Sequence, residues 1–416
     1  MIGARVLHAP WLSSGPAARV LALLNCDGEE ARVVGGAVRN ALLGIAIGDI
    51  DIATTALPAE VLRRAKAASI KSVPTGIDHG TVTLVLEGHP FEVTTLREDT
   101  ETFGRKAKVE FGRDWVGDAH RRDFTINALS VGPDGVVHDH VGGLADIAQR
   151  RVRFIGDPAQ RIAEDYLRIL RFFRIHSAFG HGVPDREGYL ACIAGRAGLA
   201  ALSAERVRME MLKLLVTDGA VGAVTAMADG GLLTAILGGV AYLGPFAAMI
   251  GIERELELSP SAVRRLAALA VAVTEDARRL GVRLKLSNAE TKALDGMGHR
   301  WWRFASADEA RVRRLLYRLG ETVYRDRLML GWARARDRDD RRWRERALLP
   351  QRFTPPKLPL KAADFIARGV AEGPLLGHVL TLAEDAWLAA DFPLDEASLN
   401  AIADQAAARV NRDGRS

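Results

Sequence analysis

The sequence predicts an α+β fold, with a small mixed domain near the N-terminus and an all-helical remainder. Short runs of β-branched residues are confined to residues 31–155, where they alternate with helical patterns. After Asp157-Pro158 these runs stop, and helical periodicity dominates residues 159–347. The composition agrees with a mostly helical chain, because Ala, Leu and Arg are abundant while aromatic residues reach only 6%.

Changes in these patterns divide the chain into five segments. The 416 residues exceed what one compact core usually holds. A proline-rich stretch at 350–360 predicts a linker that opens the last helical unit. The expected segments are a helical lead-in at 1–30, a mixed head at 31–155, neck helices at 156–220, a helical body at 221–349 and a helical tail at 350–416.

Charge and cysteine content narrow the class of protein. A net charge of +5 and an isoelectric point near 9.3 are compatible with a nucleic-acid partner. The two cysteines, Cys26 and Cys192, imply no disulfide framework, so a reducing cytoplasm is the expected location. No run of eighteen uninterrupted apolar residues occurs, and we expect no membrane span. The sequence does not indicate any protein partner.

A glycine turn stands at the start of the mixed head. Gly35-Gly36 follows the short apolar run Arg32-Val33-Val34 and precedes a helical stretch that carries Arg39. Glycines without a Cβ let backbone N–H groups approach a phosphate closely, and the N-terminus of the following helix adds a favourable dipole. Taken alone, such a pair of glycines is more often a plain tight turn.

Two carboxylates follow the turn. Asp49 and Asp51 alternate with Ile50 in an apolar strand, so both side chains point to the same face. A divalent cation would relieve their mutual repulsion, and oxygen ligands of this kind suit Mg²⁺. Glu92, on a later strand, is a candidate third metal ligand or a group behind the ligands. A partly exposed glutamate on an edge strand fits the pattern equally well.

The string Arg121-Arg122-Asp123-Phe124-Thr125-Ile126-Asn127-Ala128-Leu129 changes abruptly from charged to apolar residues. A planar guanidinium forms bidentate hydrogen bonds with phosphate oxygens, so one arginine of this pair could meet a triphosphate. The alternative is a charged loop that leads into a buried element. Phe124 and Ile126 are expected to belong to the core.

A third motif places acids before arginines at steps of three. Asp165, Arg168, Arg171 and Arg174 recur at this spacing after Glu164, which would let them line one wall of a groove from a single helix. An ordinary amphipathic helix with internal ion pairs would show the same spacing. Taken alone, the residues favour the ordinary amphipathic helix.

Together the three motifs resemble the polymerase-β type nucleotidyltransferases, in the subgroup that contains CCA-adding tRNA nucleotidyltransferases and poly(A) polymerases. The glycine turn with Asp49-Ile50-Asp51, the Arg-Arg-Asp string and the helix with its acid pair occur in that family's order and at similar spacing. The resemblance is strong over the first 180 residues and loose beyond them. It implies a polymerase-β-like nucleotidyltransferase head followed by an all-helical neck, body and tail, with a tail that binds tRNA.

The resemblance also implies a role for each matching residue. Asp49 and Asp51 would be the catalytic carboxylates that hold two Mg²⁺ ions. The nucleotide-binding residues would be Gly36, Arg39 and Arg122 on the phosphates, Asp123 on the sugar, Asp165 and Arg168 on the base, and Arg171 and Arg174 supporting that reader or meeting phosphates. One departure is Asn40, where the family usually has aspartate.

The implied function is template-independent addition of CCA to the 3′ end of tRNA from CTP and ATP. Both nucleotides carry an exocyclic amine where UTP and GTP present a carbonyl oxygen, so a carboxylate acceptor and a guanidinium donor could choose between them. The string Thr75-Gly76-Ile77-Asp78-His79-Gly80-Thr81-Val82 favours CCA addition over poly(A) addition. The alternatives are a poly(A) polymerase, an enzyme that adds only CC or only A, and an inactive RNA-binding scaffold.

Overall fold

The computed structural model describes residues 5–103, 106–335 and 340–413. The chain forms two compact units. The first comprises Met1–Leu243 with Arg279–Ser287, and the second comprises Gly244–Arg278 with Asn288–Ser416. Mixed strands and helices in the first unit, and helices in the second, confirm the predicted α+β class.

The described strands all lie in the first unit. They are β1 (Ala31–Val34), β2 (Ile50–Thr54), β3 (Lys71–Gly76), β4 (Thr81–Leu86), β5 (His89–Thr95), β6 (Arg97–Phe103), β7 (Lys106–Phe111), β8 (Ser130–Val131) and β9 (Val137–His138). Seven of them form one sheet in the order β3-β4-β5-β2-β1-β8-β9, and β6 pairs with β7.

Helices surround this sheet and continue through the first unit. They are α1 (Pro10–Ser13), α2 (Gly15–Leu24), α3 (Gly36–Leu42), α4 (Pro58–Ala67), α5 (Trp115–His120), α6 (Gly143–Ala148), α7 (Pro158–Glu164), α8 (Leu167–Phe179), α9 (Arg186–Ala194), α10 (Ala204–Leu215), α11 (Ala220–Asp229) and α12 (Leu232–Leu237). Short 3-10 turns occupy Ile77–His79, Thr125–Asn127 and Gly195–Ala201.

The second unit is helical in its described residues. Its helices, of which α13 and α15 also include residues of the first unit, are α13 (Leu243–Glu255), α14 (Ala262–Ala270), α15 (Thr274–Arg283), α16 (Asn288–Gly298), α17 (Glu309–Arg334), α18 (Asp340–Ala347), α19 (Leu349–Arg352), α20 (Ala362–Ile366), α21 (Pro374–Ala389) and α22 (Glu396–Asp413). A 3-10 turn occupies Trp301–Phe304. No helix in the described ranges is both long and apolar enough to cross a membrane.

Alternation of apolar residues sets the faces of the sheet. On β4 the side chains of Val82, Leu84 and Leu86 are buried while their neighbours are partly exposed. A strand with this period of two buries one face and turns the other towards solvent. The central β2 runs antiparallel to β1 and parallel to β5. Asp51, the acidic residue of β2, therefore lies between two neighbouring strands.

An aromatic cluster fixes helix α8 against the mixed domain. The rings of Phe124 and Phe154 lie 4.9 Å apart, and the ring of Phe172 from α8 stacks on Phe154 at 5.3 Å. All three side chains are fully buried. Gly188 of α9 faces the same cluster, where a Cβ would lie 3.0 Å from the Phe172 ring. Since α8 carries the third motif, this packing positions that motif relative to the strands.

Replacing Phe172 with alanine should destabilise the first unit by about 3–5 kcal/mol, because the substitution removes a buried ring and leaves a cavity. Urea denaturation followed by intrinsic fluorescence and circular dichroism measures the change. Val183→Ala is the matched control, since Val183 is 87% exposed and should shift stability by less than about 0.5 kcal/mol. Equal stabilities for the two variants would contradict this role of the cluster.

Candidate functional site

A pocket of about 670 Å³ in the first unit brings the three motifs together. Its walls come from the glycine turn, β2, the segment after α5, and helices α8 and α10. The lining residues are Gly35, Gly36, Arg39, Asp51, Arg122, Asp123, Asn127, Asp165, Arg168, Arg171, Arg174, Ile175, Ala178, Phe179, Lys213 and Thr217.

The glycine turn packs beneath two arginines. Gly35 has a φ of +72°, a backbone conformation that residues with a Cβ rarely adopt. A Cβ at Gly35 would lie 3.5 Å from Nη1 of Arg122, and one at Gly36 would lie 3.6 Å from Nη2 of Arg39. The turn therefore packs against both guanidinium groups with its backbone alone.

Arg39 is buried and held by neutral acceptors. Its Nη1 donates to Oδ1 of Asn127 at 2.5 Å, and its guanidinium lies 3.6 Å from the centre of the Phe179 ring. Burial, with smaller effects from the nearby cations Arg174 and Arg171, lowers the pKa of Arg39 to about 10. The group stays protonated near neutral pH and favours an anion at this wall of the pocket.

Asn40 joins Arg39 to the loop that leads to β2. Its Oδ1 accepts from Nε and Nη2 of Arg39 at 3.1 and 2.8 Å. Its Nδ2 donates to the carbonyl of Ala46 at 3.1 Å. An aspartate at this position could accept from Arg39 but could not donate to Ala46. The departure from the family pattern therefore adds a contact that the usual residue cannot make.

Arg122 is oriented by an acid behind it. Its Nε and Nη2 donate to Oδ2 of Asp118 at 3.2 and 3.0 Å. Asp118 also accepts from Arg121 at 2.5 Å. Burial alone would raise the pKa of Asp118, but the two guanidinium groups hold that pKa below its usual range. The Asp118 carboxylate thus orients both arginines of the second motif.

Asp123 joins the second motif to the third. Its Oδ2 accepts from Nε and Nη2 of Arg171 at 2.7 and 2.5 Å. Its Oδ1 accepts from the backbone of Phe124 at 2.9 Å and from Asn127 at 3.3 Å. Burial opposes ionisation, yet the charge of Arg171 and these hydrogen bonds keep the pKa of Asp123 below its usual range. Both carboxylate oxygens accept hydrogen bonds from the protein.

The third motif does not lie on one continuous helix, contrary to the prediction. Glu164 is the last residue of α7, and Asp165 has the extended backbone angles φ −155° and ψ 106° before α8 begins at Leu167. Its Oδ1 accepts from the backbone of Leu167 at 3.1 Å, and its Oδ2 accepts from Arg206 at 2.6 Å. The break turns the Asp165 carboxylate into the pocket instead of along the helix surface.

The three arginines of α8 also have protein partners. Arg168 donates to Glu164 and, at 2.6 Å, to the carbonyl of Arg161. Arg174 donates to Oε2 of Glu210 on α10 at 2.5 Å, and Arg171 lies 4.0 Å from the same carboxylate. These contacts hold the side chains in the pocket wall before any ligand binds.

Of the candidate metal carboxylates, Asp51 and Glu92 lie where β2 and β5 run side by side, whereas Asp49 precedes the first residue of β2 and is not in the strand that the sequence predicted for it. Asp51 is in register with Glu92 on β5, and neighbouring strands are about 4.7–4.9 Å apart. Asp51 keeps contact with solvent, but the surrounding protein removes part of its hydration and raises its pKa. The negative charges of Glu92 and Asp49 raise it further, against the opposing effect of Arg122. This unfavourable crowding of acids is what a divalent cation would relieve.

Glu92 is exposed and lies on an interior strand of the sheet, between β4 and β2. Its side chain is thus exposed and not buried, and its strand is not at the edge of the sheet as one alternative had it. Within the described part of the chain, no three Asp, Glu, His or Cys side chains converge as a ready-made metal cluster. A cation at Asp51 would therefore need oxygen ligands from a substrate or from water as well.

Nine of the predicted site residues line the pocket, and the two others do not. Asp49 and Glu92 lie outside its lining, although both act on the pKa of Asp51. The sequence did not single out Asn127, Phe179, Lys213 or Thr217, which also line the pocket. Asn127 belongs to the Arg-Arg-Asp string of the second motif. The other three carried no local signal, because ordinary helix positions have the same pattern.

Comparison with known proteins places two family models on the first unit. The Poly A polymerase head domain matches residues 31–153, and the probable RNA and SrmB-binding site of polymerase A matches residues 191–243. With the fold and the pocket, these matches place the chain among the proteins that have a Poly A polymerase head domain. Residues of all three motifs lie within or between these matched regions.

Individual relatives identify the family within this class. A CCA-adding enzyme of Limosilactobacillus fermentum is 33% identical over 383 residues, which cover 88% of this chain and 90% of that protein. The mouse protein named CCA tRNA nucleotidyltransferase 1, mitochondrial, is 39% identical over 268 residues, and this chain spans 61% of its length. The chain belongs to the family of CCA-adding enzymes.

Solved structures agree with the fold. A CCA-adding enzyme from Bacillus stearothermophilus, solved in complex with CTP, has a TM-score of 0.72 and 26% identity, with 96% of this chain and 98% of that chain covered. A Thermotoga maritima CCA-adding enzyme complexed with tRNA has a TM-score of 0.71 at 20% identity, over 96% of this chain and 98% of that chain. The likeness to these structures extends beyond the head into the helical part.

Replacing Glu92 with glutamine should lower the pKa of Asp51, because it removes a like charge beside that carboxylate. The pKa should stay above its ordinary value, since burial is the larger cause of the shift. Carbon-13 NMR of labelled aspartate carboxyls measures the titration, and Asp51→Asn assigns the signal. Glu87→Gln, at an exposed position, is the control. An unchanged Asp51 titration in Glu92→Gln would contradict the proximity of the two acids.

Proposed function

We propose that this protein adds CCA to the 3′ end of tRNA without a nucleic-acid template, using CTP and ATP. The observation that carries this proposal is the convergence of the glycine turn, the Arg-Arg-Asp string and the residues around the α7–α8 break on one pocket. Membership in the CCA-adding family and the CTP named for the Bacillus stearothermophilus enzyme support the choice of substrates. The cytoplasm is the proposed location, since tRNA and free nucleotides are available there.

The phosphate end of the nucleotide would lie on the glycine turn. Gly35 and Gly36 line the pocket there with backbone alone, while Arg39 and Arg122 lie over the turn with guanidinium groups already oriented. Because protein contacts fix these groups beforehand, little rotamer freedom is lost on binding. The residues would hold the triphosphate in line with the RNA 3′-hydroxyl and stabilise the negative charge that develops on pyrophosphate.

Asp49 and Asp51 are the proposed ligands of Mg²⁺, with Glu92 as a further candidate. The donor set suits a hard cation, because it offers carboxylate oxygens, and burial and the neighbouring acids already raise the pKa of Asp51. Bound there, magnesium would lower the pKa of the attacking hydroxyl and neutralise the leaving group. The carboxylates must be ionised to bind it, so affinity should fall as the pH drops through the raised pKa of Asp51.

Asp165 and Arg168 are the proposed base-reading pair. The extended backbone at Asp165 turns its carboxylate towards the pocket, and Arg206 and the Leu167 backbone hold it there. A carboxylate accepts from the exocyclic amine shared by cytosine and adenine, and a guanidinium donates to a ring nitrogen or carbonyl. Arg171 and Arg174 would support this pair from the same helix. The segment 350–416 is the proposed tRNA-binding tail.

Purified protein, a tRNA that ends at its discriminator base, and each nucleotide alone or mixed would test the function. We expect products ending in CCA when CTP and ATP are both present with magnesium. Long A tails would instead indicate a poly(A) polymerase, and products ending in CC or gaining only A would indicate a partial enzyme. Asp49→Asn should lower incorporation by at least about a hundredfold, because it removes one charge from the metal ligands without changing side-chain shape.

The controls for this assay separate chemistry from folding. Asp134→Asn changes a turn residue outside the pocket and should leave incorporation near the wild-type rate. Circular dichroism should show the same helix content for both variants. A folded Asp49→Asn protein that incorporates nucleotide normally would refute the assignment of the metal site. Incorporation by neither the wild-type protein nor its variants would favour an inactive RNA-binding scaffold.

Asp165→Ala and Arg168→Ala should weaken discrimination against UTP and GTP roughly 10- to 100-fold, the equivalent of one or two charge-assisted hydrogen bonds. The apparent affinity for tRNA should change much less. Single-turnover incorporation of each nucleotide, with RNA binding measured separately, gives both quantities. Arg186→Ala, an exposed position on α9, is the matched control. Unchanged selectivity in both pocket variants would exclude this pair as the base reader.

A further inference from the structure

Helix α10 presents to the pocket a lysine that none of the three motifs contains. Glu210 and Lys213 are three residues apart on one face of α10, and Thr217 follows two residues after this helix ends at Leu215. Glu210 accepts from Arg174 of α8 at 2.5 Å, and Thr217 donates to the hydroxyl of Ser177 on α8 at 2.8 Å. Lys213 lies between these two contacts. Its side chain therefore leaves α10 on the side that faces α8 and the pocket.

Lys213 differs from the pocket arginines in its partners. Each arginine donates to a carboxylate or to an amide oxygen of the protein; they are Arg39, Arg122, Arg168, Arg171 and Arg174. Lys213 lines the pocket, and across the described residues it makes no hydrogen bond or ion pair with a protein acceptor. Its exposed ammonium group has three N–H donors available for a ligand. An unpaired cation at the wall of a cationic pocket is suited to an anion.

The pocket is longer than a base-reading site alone requires. Arg168 and Ala178 both line it, and ten residues of helix span about 15 Å. Asp165 and Arg168 lie at one end, whereas Phe179, Lys213 and Thr217 bound the other. The second end also contains Arg39, and the acid of α10 that faces α8, Glu210, is already paired with Arg174. The charge at this end is therefore mainly positive.

We propose that Lys213 binds a phosphate group of the substrates, from either the triphosphate of the incoming nucleotide or the 3′-terminal phosphodiester of the RNA. This inference rests on the proposed function, since it adds a contact to the same pocket. A lysine ammonium is a compact point charge that serves phosphate oxygens without demanding one geometry. Its place between two fixed helix contacts means that binding orders only the end of the side chain.

Steady-state kinetics of the full-length protein, with nucleotide and RNA varied separately, would test Lys213. Lys213→Ala should raise one KM about tenfold, as expected for loss of one charge-assisted hydrogen bond, with little change in kcat. Lys213→Arg should stay within about threefold of wild type because it keeps the charge. Lys213→Glu should be worse than Lys213→Ala. Lys66→Ala, an exposed lysine of α4 outside the pocket, is the matched control.

The pattern of KM values identifies the source of the phosphate. Higher KM values for CTP and ATP with an unchanged KM for RNA indicate the triphosphate, and the reverse indicates the RNA. Wild-type KM values in Lys213→Ala would overturn the proposal. So would a defect in Lys213→Arg as large as that in Lys213→Ala, because charge would then not be the cause. Lys213→Gln, which keeps most of the stem, repeats the test if the alanine variant does not fold.

Equilibrium titrations separate this inference from the proposed function. A wild-type protein that transfers no nucleotide contradicts the proposed function, but its binding of CTP and of tRNA can still be measured. Weaker binding of one of them by Lys213→Ala would support the phosphate contact independently of turnover. Equal dissociation constants for both, or no binding of either by the wild-type protein, would overturn it.

Discussion

The shape of the pocket depends on pairing the arginines of α8 with acceptors on the elements around that helix. Arg171 pairs with Asp123 after α5, and Arg174 pairs with Glu210 on α10. Charges withdrawn from water are costly when a partner is missing, so each pair restricts where α8 can lie. The phenylalanine cluster packs α8 against the mixed domain, and these ion pairs add contacts that depend on direction. Their geometry therefore controls how the third motif faces the glycine turn.

The same pairs prepare the site for a ligand. A guanidinium has five N–H donors, and the acids behind Arg122 and Arg168 leave some of these donors for another acceptor. Arg39 is oriented instead by Asn40 and Asn127, which are neutral, and the nearby negative charge of Asp123 offsets its own charge only in part. Neutral and anionic partners thus give different local potentials within one pocket. Among the described residues, the hydrogen-bond partners of the Arg39 guanidinium are neutral amides, so its N–H groups are not paired with a carboxylate.

The sequence could predict those features of this site that depend on residues close together in the chain. Alternating β-branched residues and a glycine turn act over a few positions, so the sequence could predict the α+β class and could single out Gly36 and Asp51, which both line the pocket. The conformation at Asp165 was not predicted. The three-residue spacing of the motif favoured one continuous helix, but the structure has a break at Asp165 between α7 and α8. Its Arg206 partner lies 41 residues later, and no local pattern indicates such a contact. Lys213 was missed for the same reason.

Opposite charges are separated along the pocket, and this separation constrains the ligand. Acids gather where β2 meets β5, and burial together with the neighbouring negative charges raises the pKa of Asp51. Cations gather along α3, α8 and α10, where burial and like charge lower the pKa of Arg39 to about 10. A bare triphosphate would be repelled by the first region and a bare cation by the second. A triphosphate that carries a divalent cation satisfies both, since its positive end matches the carboxylates and its free phosphate oxygens match the guanidinium groups.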